Sequence, residues 1–211
     1  MRVISGSAKG RTLKGPPSHA TRPMADKIKG ALFNSLASLG VAPEVVLDLY
    51  AGTGSIGIEA LSRGATKADF VERTRDACQV IRDNLAVTGF AHIAAVHQAP
   101  VMTFIGAGRS TYDFVILDPP YADPDIIPTL TALQNGSLVH YGSIVVIGHS
   151  PRVELPDRLG RLDRLRLRCH GDSCFSIYDV ADATRDDGPA PQPSSEEAEH
   201  ANDARDLSGK L

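Results

Sequence analysis

The sequence has little cysteine, no tryptophan and no long run of apolar residues. Its three cysteines, Cys78, Cys169 and Cys174, are too few and too scattered for a disulfide framework, and the last two lack the spacing and histidine partners of a zinc site. We expect all three to be free thiols that act as small hydrophobes. No apolar run could span a membrane, and the first residues turn polar and basic too early for a signal peptide. The sequence therefore predicts a soluble, cytoplasmic protein, and its 211 residues allow one domain with an appendage.

The chain as a whole lacks a basic excess, with a net charge of −3, but its charges are segregated. Residues 1–30 hold seven Lys and Arg against one Asp, whereas residues 182–211 hold eight acids against three bases. A basic segment on a near-neutral body is typical of proteins that bind a phosphate-bearing partner. A solvated basic face would give the same pattern, so the charges alone do not decide between these two explanations.

Strand-like and helix-like segments alternate from residue 41 onward, which predicts right-handed βαβ units and a mostly parallel central sheet with helices on both faces. Before this α/β region, residues 2–14 predict a small β-hairpin, and a helix starts at Pro23 and ends at Gly40. After it, two extended runs joined by residues 170–173 predict a closing antiparallel hairpin. The predicted strands are 45–50, 68–72, 92–97, 111–117 and 143–147, and the predicted helices between them are 55–63, 73–88, 101–107 and 124–134.

A glycine-rich motif, Gly52-x-Gly54-x-x-Gly57, follows the first predicted strand and opens a helix. Glu72 lies twenty residues after Gly52, at the end of the next strand. Glycines let the backbone approach a ligand, and an acid at that position can bind ribose hydroxyls, as in dinucleotide-binding proteins. Nicotinamide dinucleotides and S-adenosylmethionine both fit this pattern, so the motif leaves both cofactors open.

A second motif, Asp118-Pro119-Pro120-Tyr121, follows the fourth predicted strand, at the edge of the sheet where open α/β proteins bind ligands. An ionised carboxylate only accepts hydrogen bonds, so Asp118 can hold an exocyclic amino group. The prolines lack N–H groups and present carbonyl oxygens, and a flat base can stack on Tyr121. Taken alone, the motif would more often be a proline-rich turn with a core tyrosine.

The two motifs together favour S-adenosylmethionine. Asp48, four residues before Gly52, can contact the amino acid part of that cofactor, and a dehydrogenase has no reason to carry the amino-group clamp at Asp118. The pair therefore predicts methyl transfer to an exocyclic nitrogen. The seven histidines show neither the spacing of metal ligands nor a nucleophile partner, so we expect no metal. Serine and cysteine show no nucleophile motif either.

With these motifs in this order, the chain resembles the RsmD-type bacterial enzymes, class I S-adenosylmethionine-dependent methyltransferases that act on the N2 amino group of a guanine in 16S ribosomal RNA. The resemblance covers roughly residues 2–180. The runs 32–34 and 59–65 are specific to that family, whereas the motif at Asp118 is shared with adenine amino-methyltransferases. The resemblance rests on residues 2–6 and 9–11, 21–23 with Asp26, 32–34, 47–54, 59–65, 70–72, 83–85, 118–121 and, for the family's closing Tyr-Gly-Asp-Thr, 170–173.

The chain departs from the family pattern in four places. Met24-Ala25 replace two threonines, and Gly30 replaces a glutamate. Gln98-Ala99-Pro100 stand where an Asp or Asn often contacts the adenine amino group, so Gln98 or a backbone carbonyl would have to make that bond. Gly148-His149 stand where the fifth strand usually ends in an acid. These changes bear on efficiency and substrate fit more than on the fold.

The resemblance implies a Rossmann-like class I fold that binds S-adenosylmethionine and modifies 16S ribosomal RNA in an assembling small subunit, as a monomer without membrane contact. It divides the chain into a basic hairpin and helix that serves as an RNA arm and cover (1–40), a cofactor-binding methyltransferase domain (41–181) and a disordered acidic tail (182–211). Arg161, Arg164, Arg166 and Arg168 are expected on an exposed face or edge of the closing hairpin. The implied catalytic residues are Asp118, Pro119, Pro120 and Tyr121; the cofactor-binding residues are Asp48, Tyr50, Ala51, Gly52, Thr53, Gly54, Glu72, Arg73, Gln98 and Ala99; and the RNA-binding residues are Arg2, Lys9, Arg11, Lys14 and Arg22.

Three other functions stay open at this point. An adenine-N6 methyltransferase on DNA or RNA would use the same clamp, although DNA enzymes of that kind usually carry an added recognition domain for which this chain has no room. A methyltransferase-fold protein that binds RNA but has lost turnover is suggested by the departures at Pro100 and Gly148. A nicotinamide dehydrogenase comes third, and titration with each cofactor would separate it from the others.

Overall fold

The computed structural model describes residues 1–16, 26–119 and 126–182. In these residues eight strands form one sheet in the order β3-β2-β1-β4-β5-β8-β7-β6. The first five strands run parallel, and β6, β7 and β8 add an antiparallel extension. The elements are α1 (Asp26–Ser38), β1 (Val45–Leu49), α2 (Ser55–Ser62), β2 (Lys67–Glu72), α3 (Arg75–Thr88), β3 (Ala94–Gln98), α4 (Val101–Ala107), β4 (Tyr112–Leu117), α5 (Ile126–Asn135), β5 (Val139–His149), β6 (Arg158–Leu159), β7 (Leu162–His170) and β8 (Ser173–Val180).

The central strands are apolar on both faces because helices cover both sides of the sheet. One core contains side chains of α1, α2 and α3, with Phe70, Phe114 and Ile116 from the sheet. The other core contains side chains of α4 and α5. Leu47 and Val115 belong to it, because alternate residues of each strand face the opposite side of the sheet. The predicted α/β architecture with a closing antiparallel hairpin is therefore confirmed.

Element boundaries differ from the predicted ones mainly where polar residues continue a strand. Strand β5 begins at Val139 rather than at residue 143, and the two-residue β6 has no counterpart among the predicted elements. The predicted helix starts at Pro23 and Pro124 lie outside the described residues, as does the tail from residue 183. Among the described helices, none is long and apolar enough to cross a membrane.

The first 16 residues, called the N-terminal arm below, pack against α1, α2 and α3. Its two runs meet through one antiparallel bridge, Arg2 with Thr12, and through backbone bonds such as Val3 N to Arg11 O, 3.0 Å. The fully buried Glu59 carboxylate of α2 accepts hydrogen bonds from the backbone N–H groups of Ile4 (2.8 Å) and Ser5 (3.0 Å). Lys29 Nζ of α1 lies 3.4 Å from Glu59 and donates to Arg2 O at 2.8 Å. The arm is thus part of the folded core.

The expectation that all cysteines are free is wrong for two of them. Cys169 and Cys174 face each other across β7 and β8 and form a disulfide. Only Cys78 is a free, buried thiol. A sequence separation of five residues does not reveal this pairing, because the register of the two antiparallel strands decides which residues stand opposite each other.

Candidate active site

The carboxyl ends of β1, β2, β3 and β4 bring the predicted cofactor residues, with Asp118 and Pro119 of the predicted catalytic motif, to one edge of the sheet, called the catalytic edge below. The backbone N–H of Ala51 donates to Val71 O at 3.0 Å, so the loop after β1 is fixed against β2. On the other side of β1, Leu49 pairs with Leu117, the last residue of β4 before Asp118. The structure therefore places the glycine-rich loop between Glu72 and Asp118.

The loop after β1 is built from residues with left-handed backbone. Tyr50 is the one described non-glycine residue with positive φ (58°), and Gly52 and Gly54 follow with φ of 54° and 73°. A non-glycine residue in this region is strained and is found most often at functional sites. The Tyr50 hydroxyl lies 3.3 Å from Thr129 Oγ1 of α5, which holds the ring on the face of the sheet that α4 and α5 cover. Tyr50 thus shapes the loop through its backbone.

The third glycine of the motif serves packing. A Cβ at Gly57 would lie 2.4 Å from Cε1 of the Phe70 ring, far closer than a carbon contact allows. Gly57 N also donates to Asp48 Oδ2 at 2.9 Å. The glycine therefore lets α2 lie directly on β1 and β2, and the Asp48 carboxylate takes one of the free N–H groups of the first helical turn.

The Asp48 carboxyl is almost fully buried, with 1% of its surface exposed. Burial raises the pKa of Asp48 well above its usual value. The hydrogen bond from Gly57 N–H acts in the opposite direction, and the charges of Asp118 and Glu72 raise the pKa further. A positive charge bound beside Asp48 would therefore favour the ionised form of its carboxyl.

Glu72 holds the glycine-rich loop from the next strand. Its carboxylate accepts from the backbone N–H of Gly52 at 3.1 Å and from both the N–H (2.9 Å) and the hydroxyl (3.1 Å) of Thr74. Ala99 N donates to Glu72 O at 3.1 Å, which brings the end of β3 to the same place. Arg73 and Gln98 flank this group with exposed side chains.

The predicted catalytic motif is described only in part. The side chain of Asp118 is half-buried, that of Pro119 is buried, and Asp118 N approaches Leu49 O at 3.5 Å. Pro120 and Tyr121 lie outside the described residues. Asp48 pairs with Ile116, two residues before Asp118, so the two carboxyls belong to the same edge of neighbouring strands, and the charge of Asp118 contributes to the raised pKa of Asp48.

The charges and backbone of this edge fit S-adenosylmethionine better than a nicotinamide dinucleotide. That methyl donor carries positive charge on its sulfonium and its amino group, which the carboxylates of Asp48 and Glu72 would stabilise. A dinucleotide would bring an anionic pyrophosphate to the start of α2, where Asp48 already occupies the N–H of Gly57. A Cβ at Gly52 would meet nothing nearer than Tyr50 O at 3.8 Å, so the loop is open to a ligand there.

The predicted RNA-binding cations fall into separate places. Lys14 lies at the catalytic end of the arm and pairs with Asp83 of α3 at 2.7 Å, and Arg2 is exposed beside the start of α1. Lys9 lies in the turn that packs on Ser62, the last residue of α2, about 10 Å along that helix from the cofactor loop. Arg11 is exposed next to that turn, and Arg22 lies outside the described residues.

Three buried polar residues at this site, Asn84, Glu59 and Ser62, are not among the predicted site residues, although all three lie in segments that carry the family resemblance. Asn84 is 1% exposed, and its Nδ2 donates to Thr53 O at 2.9 Å and to Lys14 O at 3.2 Å, while its Oδ1 accepts from Lys14 N at 2.7 Å. Ser62 Oγ donates to Ser5 O at 2.6 Å. A polar residue at an inward-facing helix position, as Asn84 is between Ile81 and Leu85, is the signal that could have revealed it.

Two of the departures from the family pattern, at Gly148-His149 and at Pro100, lie at the ends of β5 and β3. His149 Nε2 lies 3.0 Å from Ser176 Oγ and its Nδ1 lies 3.0 Å from Ser150 O, and burial lowers the pKa of this imidazole. Gly148 is buried next to Phe175 of β8. Pro100 precedes the first residue of α4 and is exposed.

Within the described ranges, no three His, Cys, Asp or Glu side chains are grouped as a metal site would require.

Comparison with known proteins gives a consistent result. The model of the family described as "Conserved hypothetical protein 95" matches residues 1–179. The chain is 36% identical over 181 residues to "Putative rRNA methyltransferase YlbH" of Bacillus subtilis, covering 84% of this chain and 98% of that protein. It is 30% identical over 178 residues to "Ribosomal RNA small subunit methyltransferase D" of Escherichia coli K12, covering 84% and 89%.

Solved structures show the same fold. "Putative methyltransferase yhhF" from Escherichia coli superposes with a TM-score of 0.74 and 28% identity, covering 86% of this chain and 98% of that one. An RNA methyltransferase from Salinibacter ruber, solved in complex with S-adenosyl-L-homocysteine, superposes with a TM-score of 0.61 over 80% of this chain and all of that one, at 18% identity. The architecture is that of a class I methyltransferase.

Proposed function

Because this chain belongs to the family described as Conserved hypothetical protein 95 and has the class I methyltransferase fold, we propose that it is an S-adenosylmethionine-dependent methyltransferase of ribosomal RNA. Its target is the exocyclic N2 amino group of a guanine in 16S RNA. The observation that carries this proposal is the group of three carboxylates around the glycine-rich loop, Asp48, Glu72 and Asp118, which matches a cationic methyl donor and an amino-group substrate.

The residues of the cofactor site have distinct roles. Asp48 would hold the amino group of the cofactor, Gly52 and Gly54 would let the backbone approach its methionine part, and Glu72 would accept from its ribose hydroxyls. Arg73, Gln98 and Ala99 complete the adenine side of the site. The cofactor supplies a methyl group bound to a positively charged sulfur.

The residues after β4 position the target base. The base leaves its stack and enters the pocket, as base-modifying enzymes require. Asp118 and the Pro119 carbonyl accept hydrogen bonds from the amino group, and Tyr121 stacks on the ring. This orients the nitrogen lone pair towards the methyl group, so orientation and proximity provide most of the rate enhancement. The nitrogen loses its proton once it is methylated, so no strong base is needed first.

Residues 1–40, which comprise the N-terminal arm and α1, are the RNA-binding part of the enzyme, and residues 41–181 are its catalytic part. Arg2, Lys9, Arg11, Lys14 and Arg22 bind phosphates. The substrate is an assembling small ribosomal subunit, which places the monomeric enzyme in the cytoplasm.

The decisive experiment is methyl transfer from radiolabelled S-adenosylmethionine to partly assembled small subunits that lack this modification, followed by nucleoside analysis. N2-methylguanosine at one site supports the proposal. Methyladenosine would assign the chain to the adenine enzymes, and cofactor binding without any label would indicate an RNA-binding protein without turnover.

A variant pair tests the role of Asp118. Asp118→Asn keeps the shape of the side chain but replaces one carboxylate acceptor by a donor, so it should bind the cofactor nearly normally and lose transfer by about a hundredfold or more. Asp76→Asn, an exposed residue at the start of α3, removes the same charge and should retain transfer. Loss of cofactor binding with retained transfer would contradict this role for Asp118.

A further inference from the structure

The strand register places Arg168 of β7 in line with Asp118 across the sheet. Leu117 pairs with Ile147, so Asp118 comes next to Gly148. Gly148 pairs with Phe175 of β8, and Phe175 pairs with Arg168. Three strand spacings separate Asp118 from Arg168, which is about 14 Å.

Arg168 lies on the same face of the sheet as the catalytic carboxylates. The guanidinium of Arg166 donates to Ser38 Oγ at the end of α1, so this side chain is on the α1 face. Side chains alternate along a strand, which puts Arg168 and His170 on that face as well. Ile116, two residues before Asp118, packs in the same core as α1. The row from Asp118 to Arg168 therefore runs along one face of the catalytic edge.

Arg168 has no partner outside β7 among the described residues, unlike the other three arginines of the closing hairpin. Arg161 donates to Ala181 O at 3.2 Å, Arg164 pairs with Asp157, and Arg166 donates to Ser38. Arg168 donates only to the neighbouring Leu167 O, at 3.3 Å, and its side chain is exposed. A guanidinium in this position is available for an anion.

The tip of this hairpin is held in place. The Cys169–Cys174 disulfide lies between Arg168 and His170 and joins β7 to β8 one residue from Phe175. Phe175 itself is 2% exposed. An arginine on a fixed backbone loses less conformational entropy when it binds a phosphate than one on a free loop.

We propose that Arg168, with His170 beside it, contacts a phosphate of the RNA strand that flanks the target nucleotide. This rests on the proposed RNA methyl-transfer function and adds a contact on the side of the site opposite to the N-terminal arm. The RNA strand then crosses the catalytic edge from the arm to the closing hairpin, with the target base turned into the pocket between them.

The test compares Arg168→Ala and Arg168→Glu with matched changes at Arg109. Arg109 is exposed just before β4, at the amino ends of the parallel strands and so away from the catalytic edge. Affinity for the partly assembled small subunits is measured by cosedimentation over a series of salt concentrations, together with cofactor affinity and the rate of transfer. Arg168→Ala should weaken RNA binding about fivefold to a hundredfold and reduce the slope of log affinity against log salt by about one. Cofactor affinity and the rate at saturating RNA should not change.

The possible outcomes separate the two proposals. A wild-type protein that neither binds nor methylates the partly assembled small subunits would overturn the proposed function and this inference with it. A wild-type protein that methylates RNA while Arg168→Ala keeps the normal salt slope, as the Arg109 variants should, would overturn only the role of Arg168. A variant that loses the rate at saturating RNA but not affinity would also contradict a phosphate contact.

Discussion

Asn84 donates a hydrogen bond to the carbonyl oxygen of Thr53, 2.9 Å away in the glycine-rich loop, and a second one to the carbonyl oxygen of Lys14 in the N-terminal arm, 3.2 Å away. One buried amide therefore joins the segment proposed to bind RNA to the segment proposed to bind the cofactor. Because the side chain is 1% exposed, water cannot replace these bonds if the amide is removed.

Asn84→Ala should weaken cofactor binding about tenfold, because the Thr53 carbonyl loses its donor and the loop loses its fixed position. Calorimetric titration with the cofactor measures this effect. The control is Asn34→Ala, which removes an exposed amide from α1. If both variants bind the cofactor like the wild type, Asn84 supports the arm alone and does not position the loop.

The pH dependence of cofactor affinity tests the environment of Asp48. Its pKa is raised in the free protein, and a cationic cofactor favours the ionised carboxylate, so binding should release a proton. Affinity should therefore rise with pH between the pKa of Asp48 in the complex and its raised pKa in the free protein, and level off above the latter. Titrations in two buffers with different ionisation enthalpies measure the released proton directly.

Asp48→Asn is the matched control, because its carbonyl oxygen can still accept from Gly57 N. This variant should lose the rise in affinity with pH. The same raised pKa means that the contribution of Asp48 to folding stability is fully present below 3.8 and is lost as the pH rises through its pKa in the folded protein. Identical pH profiles for the variant and the wild type would show that other groups control binding.

The glycines of the motif should respond differently to alanine. Gly57→Ala puts a methyl group 2.4 Å from the Phe70 ring and should reduce the free energy of unfolding by about 1–3 kcal/mol. Gly52→Ala has space but a φ of 54°, so it should cost about 1–2 kcal/mol in strain and, in addition, block the cofactor's approach. Denaturant unfolding and cofactor titration of both variants separate the two effects, and a Gly57→Ala protein of normal stability would refute the packing role.

The Cys169–Cys174 disulfide should stabilise the closing hairpin. For so short a loop, its removal in Cys169→Ser/Cys174→Ser should lower the free energy of unfolding by about 2 kcal/mol. Dithiothreitol should lower the stability of the wild type to that of the variant and leave the variant unchanged. Equal stability of the wild type with and without the reductant would show that the disulfide does not contribute.

Local patterns in the sequence determined the strand and helix order, the glycine-rich loop after β1 and the position of Asp118 after β4. Each of these depends on residues within about ten positions of one another, such as the apolar run from Tyr112 to Leu117 and the glycines that follow Tyr50. The sequence therefore predicted which residues reach the catalytic edge, because the ends of parallel strands meet there whatever the details of packing.

Only the tertiary structure decided which distant residues meet. The pairing of Cys169 with Cys174, and of Arg168 with Phe175, depends on strand register, which no local pattern specifies. Glu59 and Asn84 hold the N-terminal arm through contacts with backbone atoms more than 50 residues away in the chain. The raised pKa of Asp48 has the same origin, because burial and neighbouring charges belong to the packed molecule and not to any single segment.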